Sequence, residues 1–115
     1  MSTSTHFAGV KKVVTEVNKQ FLARTGKEAS DRFIHFLCYA EGYKTFGDIA
    51  NGAVVPDIAL AALNLIAVIN QKPAVSLYLE RQAAFDLVKK LHHELPHDTL
   101  TDEQRKTLST LKIVA

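Results

Sequence analysis

The longest apolar run in the chain spans residues 58–69 and reads I-A-L-A-A-L-N-L-I-A-V-I, with Asn64 as its one polar side chain. At about 1.5 Å per residue the run covers roughly 18 Å, which is less than the roughly 30 Å of a bilayer core. A helix that is apolar on nearly all sides is normally buried by its neighbours. The run therefore predicts a central core helix near 56–70, with Pro56 at its first position. Asn64 is expected to find a partner in the core or at a subunit interface.

Apolar residues recur at helical spacing on the N-terminal side of this run. They predict a first helix over 5–24, after a frayed tail at 1–4, and a stop at Gly26, where a positive φ is accessible to glycine. A second helix, capped by Ser30 or Asp31, is predicted over 31–42. Its predicted core residues are Phe33, Ile34, Phe36, Leu37 and Tyr39.

Two further helices are predicted after the central run. Pro73 and Pro96 bound a helix over 73–95, because proline is tolerated at a helix start and ends a helix that precedes it. The residues T-D-E-Q at 101–104 form a capping box that opens a last helix, which runs through Ile113. The predicted apolar face of the 73–95 helix comprises Leu77, Tyr78, Ala84, Phe85, Leu87, Val88, Leu91 and Leu95.

The fold class predicted from these segments is all-α. Five main helices, with a sixth short one indicated over 46–51, are expected to form a compact single-domain bundle around the 56–70 helix. The 115 residues suffice for one self-contained domain, 1–115, and the 47% hydrophobic and 23% charged residues are ordinary for a soluble protein. A net charge of +2 does not by itself indicate nucleic-acid binding.

The single cysteine, Cys38, excludes an intramolecular disulfide and favours a reducing compartment. The N-terminal residues lack the apolar block of a signal peptide. We therefore expect a cytoplasmic protein without a membrane partner.

Catalytic, cofactor and metal sites are not indicated. His35 and Cys38 share a helical face, but no third residue orients them as a nucleophile pair. His93 and His97 have metal-ligand spacing, but Pro96 lies between them and interrupts the helix. The glycines at 42, 47 and 52 have a phosphate-loop outline without the Lys and Ser or Thr that such a loop requires. The sequence therefore predicts a protein that is not an enzyme.

The first functional hypothesis is a small protein-interaction domain that acts as a regulator, an inhibitor or an assembly subunit. A short helical chain with this much apolar surface readily leaves one face or groove for a protein partner. The predicted contact residues lie in an aromatic loop and in the apolar C-terminal segment. They are Tyr43, Lys44, Phe46, Leu111 and Ile113.

The alternative hypothesis is an accessory protein that binds nucleic acid. Cations are concentrated on and just after the first helix, and helical proteins can contact phosphates without reading bases. The predicted contact residues are Lys11, Lys12, Lys19, Arg24 and Lys27. A third hypothesis is a homo-oligomer in which Asn64 pairs across a two-fold axis.

Overall fold

A computed structural model describes residues 2–42, 55–71 and 77–112, and these residues are helical with connecting turns. Within these ranges there is no β-strand, and the predicted all-α class with five main helices is confirmed. The short helix predicted at 46–51 lies outside the described residues. The helices are α1 (Ser2–Thr25), α2 (Asp31–Ala40), α3 (Ile58–Gln71), α4 (Tyr78–Leu91) and α5 (Asp102–Thr110).

Backbone contacts group the chain into two compact units, Met1–Ile58 and Ala59–Ala115. The first unit contains α1 and α2, and the second contains nearly all of α3 together with α4 and α5. The single domain predicted for 1–115 stays a prediction.

The first unit is organised by the turn between α1 and α2. The Gly26 N–H donates to the Leu22 carbonyl at 2.8 Å, and Gly26 has the predicted positive φ of 74°. Asn18, about two turns before the end of α1, accepts from the Ala29 N–H at 2.9 Å. These bonds fix the direction in which the chain leaves α1. α1 itself begins at Ser2, earlier than the predicted residue 5, because Ser and Thr in the first turn carry no apolar periodicity.

α2 begins at the predicted cap. The Ser30 hydroxyl accepts from the Phe33 N–H at 3.1 Å, which satisfies one of the free donors of the first turn. Phe33, Ile34 and Leu37 are buried as predicted. Tyr39 is 41% exposed, so its assignment to the core was wrong. At about 100° per residue, Tyr39 lies on the opposite side of the helix from Leu37, and a continuous apolar run does not reveal this.

α3 is enclosed along almost its whole length. Every residue in 58–69 is buried or half-buried, and Leu63 has no exposed surface. The helix begins at Ile58, so the prediction that Pro56 is its first residue was wrong. Asp57 instead stands directly before the helix, at a position where an aspartate is strongly preferred.

Asn64 is bonded within the second unit. The Gln104 side-chain amide donates to Asn64 Oδ1 at 3.0 Å, while the Gln104 Oε1 accepts from the Thr101 N–H at 2.9 Å. The Thr101 hydroxyl accepts from the Gln104 N–H at 3.2 Å and completes the predicted capping box. The side-chain amide of Gln71 donates to Glu103 and forms a second link from α3 to α5. Structural pairing of Asn64, predicted from the sequence, is confirmed.

α4 ends earlier than the proline pattern indicated. The α-helix stops at Leu91 and is followed by two short 3-10 segments, His92–Glu94 and His97–Thr99, on either side of Pro96. A tightened last turn before proline is expected, because the residue preceding proline is pushed out of the α region. The predicted start at Pro73 lies outside the described residues.

Candidate partner-binding site

The most exposed large apolar residues of the described chain stand together at the start of α4. Tyr78 is 67% exposed and Leu79 is 76% exposed. Tyr78 lines a shallow groove of about 260 Å³. Leu79 is the next residue in the chain and does not line the groove. We call this groove, lined by Tyr78, Arg81, Gln82 and Phe85, the Tyr78 groove.

The helical period explains why these four residues line one groove. They are spaced i, i+3, i+4 and i+7, which places them along one row of α4. α4 turns a different side inward, since Ala84, Leu87, Val88 and Leu91 are buried. Tyr78 and Leu79 therefore stay outside the core, although both are apolar and Leu77 before them is half-buried.

The exposed charges along α4 are mostly positive. Arg81 is exposed at the groove, and Lys89 and Lys90 are exposed further along the helix. Glu80 is 6% exposed and does not contribute a surface charge here. The exposed Asp86 accepts a hydrogen bond from Gln82 Nε2 at 3.2 Å. The outer side of α4 thus combines apolar surface with a cationic excess.

Sequence reasoning missed this site because it assigned Tyr78 and Phe85 to the buried face of a longer helix. Phe85 is half-buried and Tyr78 is exposed. One available signal is the run L-Y-L at 77–79: three consecutive large apolar residues span about 200° of a helix and cannot all face one core. At about 260 Å³ the groove lies just below the roughly 300–1,000 Å³ typical of small-molecule pockets, a volume that suits one or two side chains of a larger partner.

The structure describes only one of the predicted partner residues, Leu111. Tyr43, Lys44, Phe46 and Ile113 lie outside the described residues. Leu111 is half-buried in the turn that ends α5, where its N–H donates to the Leu108 carbonyl at 3.2 Å. The aromatic loop and the C-terminal segment therefore remain predictions.

The predicted nucleic-acid residues are all exposed, but they do not form one cluster on α1. Lys11, Lys12 and Lys19 fall within an arc of about 100° around the helix axis. Arg24 lies about 140° from Lys19 around the same helix, and Lys27 follows the helix end. The structure thus divides the five cations into a row of three and two others.

The Cys38 thiol is poorly suited to nucleophilic chemistry. Cys38 is completely buried, and burial, with a smaller contribution from Glu41, raises the pKa of its thiol to about 11. A thiol nucleophile reacts as the thiolate, which such a pKa nearly eliminates at neutral pH. The half-buried His35 has its ring 5.7 Å from that of Phe36 in an edge-to-face arrangement.

Two histidines near Pro96, His93 and His97, contact residues close to them in the sequence. His97 Nε2 lies 2.8 Å from the His92 carbonyl oxygen, to which it donates, and His93 Nε2 lies 4.0 Å from Glu94 Oε2. Among the described residues, no group of three or more His, Cys, Asp or Glu side chains is placed to hold a metal ion.

Comparison with known proteins adds no family relationship. No protein-family model, curated protein or solved structure matches this chain. In the described part of the chain, no helix combines the length and apolar character needed to cross a bilayer.

Proposed function

We propose that this chain is a non-enzymatic helical domain that binds a protein partner and acts as a regulator, an inhibitor or an assembly subunit. The observation that supports this function is the exposure of Tyr78 and Leu79 beside the Tyr78 groove. Clustered aromatic and aliphatic side chains that remain in solvent are typical of protein-binding surfaces. The buried Cys38 is compatible with a reducing compartment, and we propose a cytoplasmic location.

Site-specific photo-crosslinking tests this function. A photoreactive phenylalanine analogue replaces Leu79 in the full chain, and a matched chain carries it at Arg105, an exposed position on α5. In cells of the organism that encodes the protein, we expect one discrete protein adduct from position 79 and none from position 105.

Three other outcomes contradict the proposal. Equal adducts from both positions indicate nonspecific contact, and no adduct from position 79 removes the surface as a binding site. An adduct that contains only a second copy of the chain replaces a separate partner with the homo-oligomer hypothesis.

Binding of nucleic acid is the second candidate function, favoured by the exposed row of Lys11, Lys12 and Lys19 on α1. Cations in a row can neutralise successive phosphates, and such binding weakens as salt displaces the protein. Fluorescence anisotropy of labelled mixed-sequence single- and double-stranded nucleic acid, at low and then physiological salt, measures it.

For this second function we expect salt-sensitive binding that is lost in Lys11→Glu/Lys12→Glu and retained in Arg105→Glu/Lys106→Glu, which reverses two exposed cations on α5. Equal losses in both variants would assign the effect to net charge. Absence of binding at low salt eliminates this candidate.

A further inference from the structure

The apolar lining and the volume of the Tyr78 groove indicate which side chains a protein partner inserts there. Its walls include two aromatic rings, Tyr78 and Phe85, and the groove of about 260 Å³ is suited to a large apolar side chain. Leu79, 76% exposed, extends the apolar surface beyond the groove. A partner therefore needs at least one aromatic or large aliphatic residue.

The exposed charges next to the groove indicate which charged residues the partner carries. Arg81 lines the groove itself, and Lys89 continues the same helical row one turn beyond Phe85. The exposed Asp86 accepts a hydrogen bond from the neutral Gln82 amide and keeps its charge, so two cations, Arg81 and Lys89, stand against one carboxylate beside the groove. Lys90 is exposed about 140° from Phe85 around the helix, away from the groove. Complementarity of charge favours carboxylates on the partner.

We propose that the Tyr78 groove binds an acidic peptide segment of a partner protein. The segment inserts one large apolar side chain between Tyr78 and Phe85 and sets carboxylates against Arg81 and Lys89. This inference rests on the proposed protein-binding function and names the chemistry of the partner at the same surface.

A peptide fits this surface better than an anionic membrane does. A helix that binds a lipid surface turns its apolar face toward the acyl chains. In α4 that face is inside the fold, since Ala84, Leu87, Val88 and Leu91 are all buried. The exposed apolar surface is confined to one end of the helix, where a concave groove suits an inserted side chain.

Selection from a displayed library of random peptides, matched in length to α4 and panned on the full chain, tests the inference directly. We expect enrichment of sequences that combine Asp or Glu with Phe, Tyr, Trp or Leu. Anisotropy of the labelled peptides should show binding about tenfold weaker to Tyr78→Ser/Leu79→Ser, the loss typical of a central apolar contact. Binding to Lys89→Gln/Lys90→Gln should be about two- to fivefold weaker and less dependent on salt.

The matched control is Arg105→Gln/Lys106→Gln, which removes two exposed cations from α5 and should leave peptide affinity unchanged. Circular dichroism and thermal melting of each variant verify the fold. The exposure of all the substituted side chains makes loss of folding an unexpected result.

The outcomes separate the inference from the proposed function. Enriched peptides that require Leu79 but carry no acidic excess contradict the acidic partner and leave the protein-binding function intact. Peptides that bind Tyr78→Ser/Leu79→Ser as well as the unchanged chain, or no enrichment at all, contradict both. Stronger binding to vesicles of phosphatidylcholine and phosphatidylserine than to any peptide replaces the peptide with a membrane surface.

Discussion

α3 and α4 have the same length, 14 residues, but differ in solvent exposure and in the hydrogen bonds of their polar side chains. In α3 the exposed residues are confined to the last two positions, Asn70 and Gln71, whereas seven of the 14 residues of α4 are exposed. Asn64 of α3 is bonded to a neighbouring helix, whereas Gln82 of α4 is bonded to Asp86 on its own surface. One helix is enclosed by the fold, and the other presents a side to solvent.

The comparison shows how placement gives equivalent residue types different roles. Leu63 has no exposed surface and Leu79 is 76% exposed, although each is a leucine in a helix of the second unit. Burial of a leucine stabilises the fold by about 1.5–3 kcal/mol relative to exposure. Leu79 does not make that contribution in the isolated chain, so its exposure is consistent with a role in binding.

The largest expected effect contrasts these two leucines directly. Leu63→Ala should lower the free energy of unfolding by about 2–5 kcal/mol, because it removes buried methyl groups and leaves a cavity. Leu79→Ala should change it by less than about 0.5 kcal/mol. Urea unfolding followed by circular dichroism measures both values, and similar losses in the two variants would show that Leu79 is enclosed.

Burial also affects the thiol of Cys38 in α2, where it changes how the stability depends on pH. Because the pKa of Cys38 is raised to about 11 in the fold, the folded chain holds its thiol proton at a pH where the unfolded chain releases it. Stability should therefore fall as pH rises from about 9 toward 11, with a contribution on the order of 1 kcal/mol by pH 10.

Urea unfolding of the unchanged chain and of Cys38→Ala across this pH range isolates the contribution of the thiol. The difference in stability between the two chains should be constant below about pH 8 and should change steadily above pH 9. A constant difference up to pH 11 contradicts the raised pKa.

The smallest effects compare the polar pairs of the two helices. A double-mutant cycle with Asn64→Ala and Gln104→Ala should give a coupling energy of about 1 kcal/mol, because both side chains are half-buried. The equivalent cycle with Gln82→Ala and Asp86→Ala should give about 0.2–0.5 kcal/mol, the range for exposed pairs one helical turn apart. A larger coupling energy for Gln82 and Asp86 than for Asn64 and Gln104 would contradict the expectation that the more buried pair is the more strongly coupled.

Much of the fold follows from local signals in the sequence. Ser30 and Thr101 act as the predicted caps, Gly26 has the predicted positive φ, and the 58–69 run is enclosed. These features depend on contacts within a few residues or on composition along one helix. Caps and a positive φ are decided within a few residues, and a helix without a polar side is stable only inside a fold, so these features can be read from the sequence.

The candidate site was not predictable in the same way. The pattern around 77–95 shows that α4 has an apolar side, but it does not show where that side ends. Tyr78 and Leu79 fall beyond its edge, and this depends on which elements surround the helix. The partner of Asn64 likewise lies 40 positions away, at Gln104, a separation that no local motif encodes.

The side chain of Gln104 makes two hydrogen bonds, one within α5 and one to α3, and together they couple the folding of the two helices. One end of its amide closes the cap on the Thr101 N–H, and the other end reaches Asn64 on α3. Ordering of the first turn of α5 and its attachment to α3 therefore favour each other and should occur as one cooperative event. The deuterium exchange rate of the Thr101 amide then reports opening of the contact between the two helices, although that amide belongs to an exposed residue at a helix start.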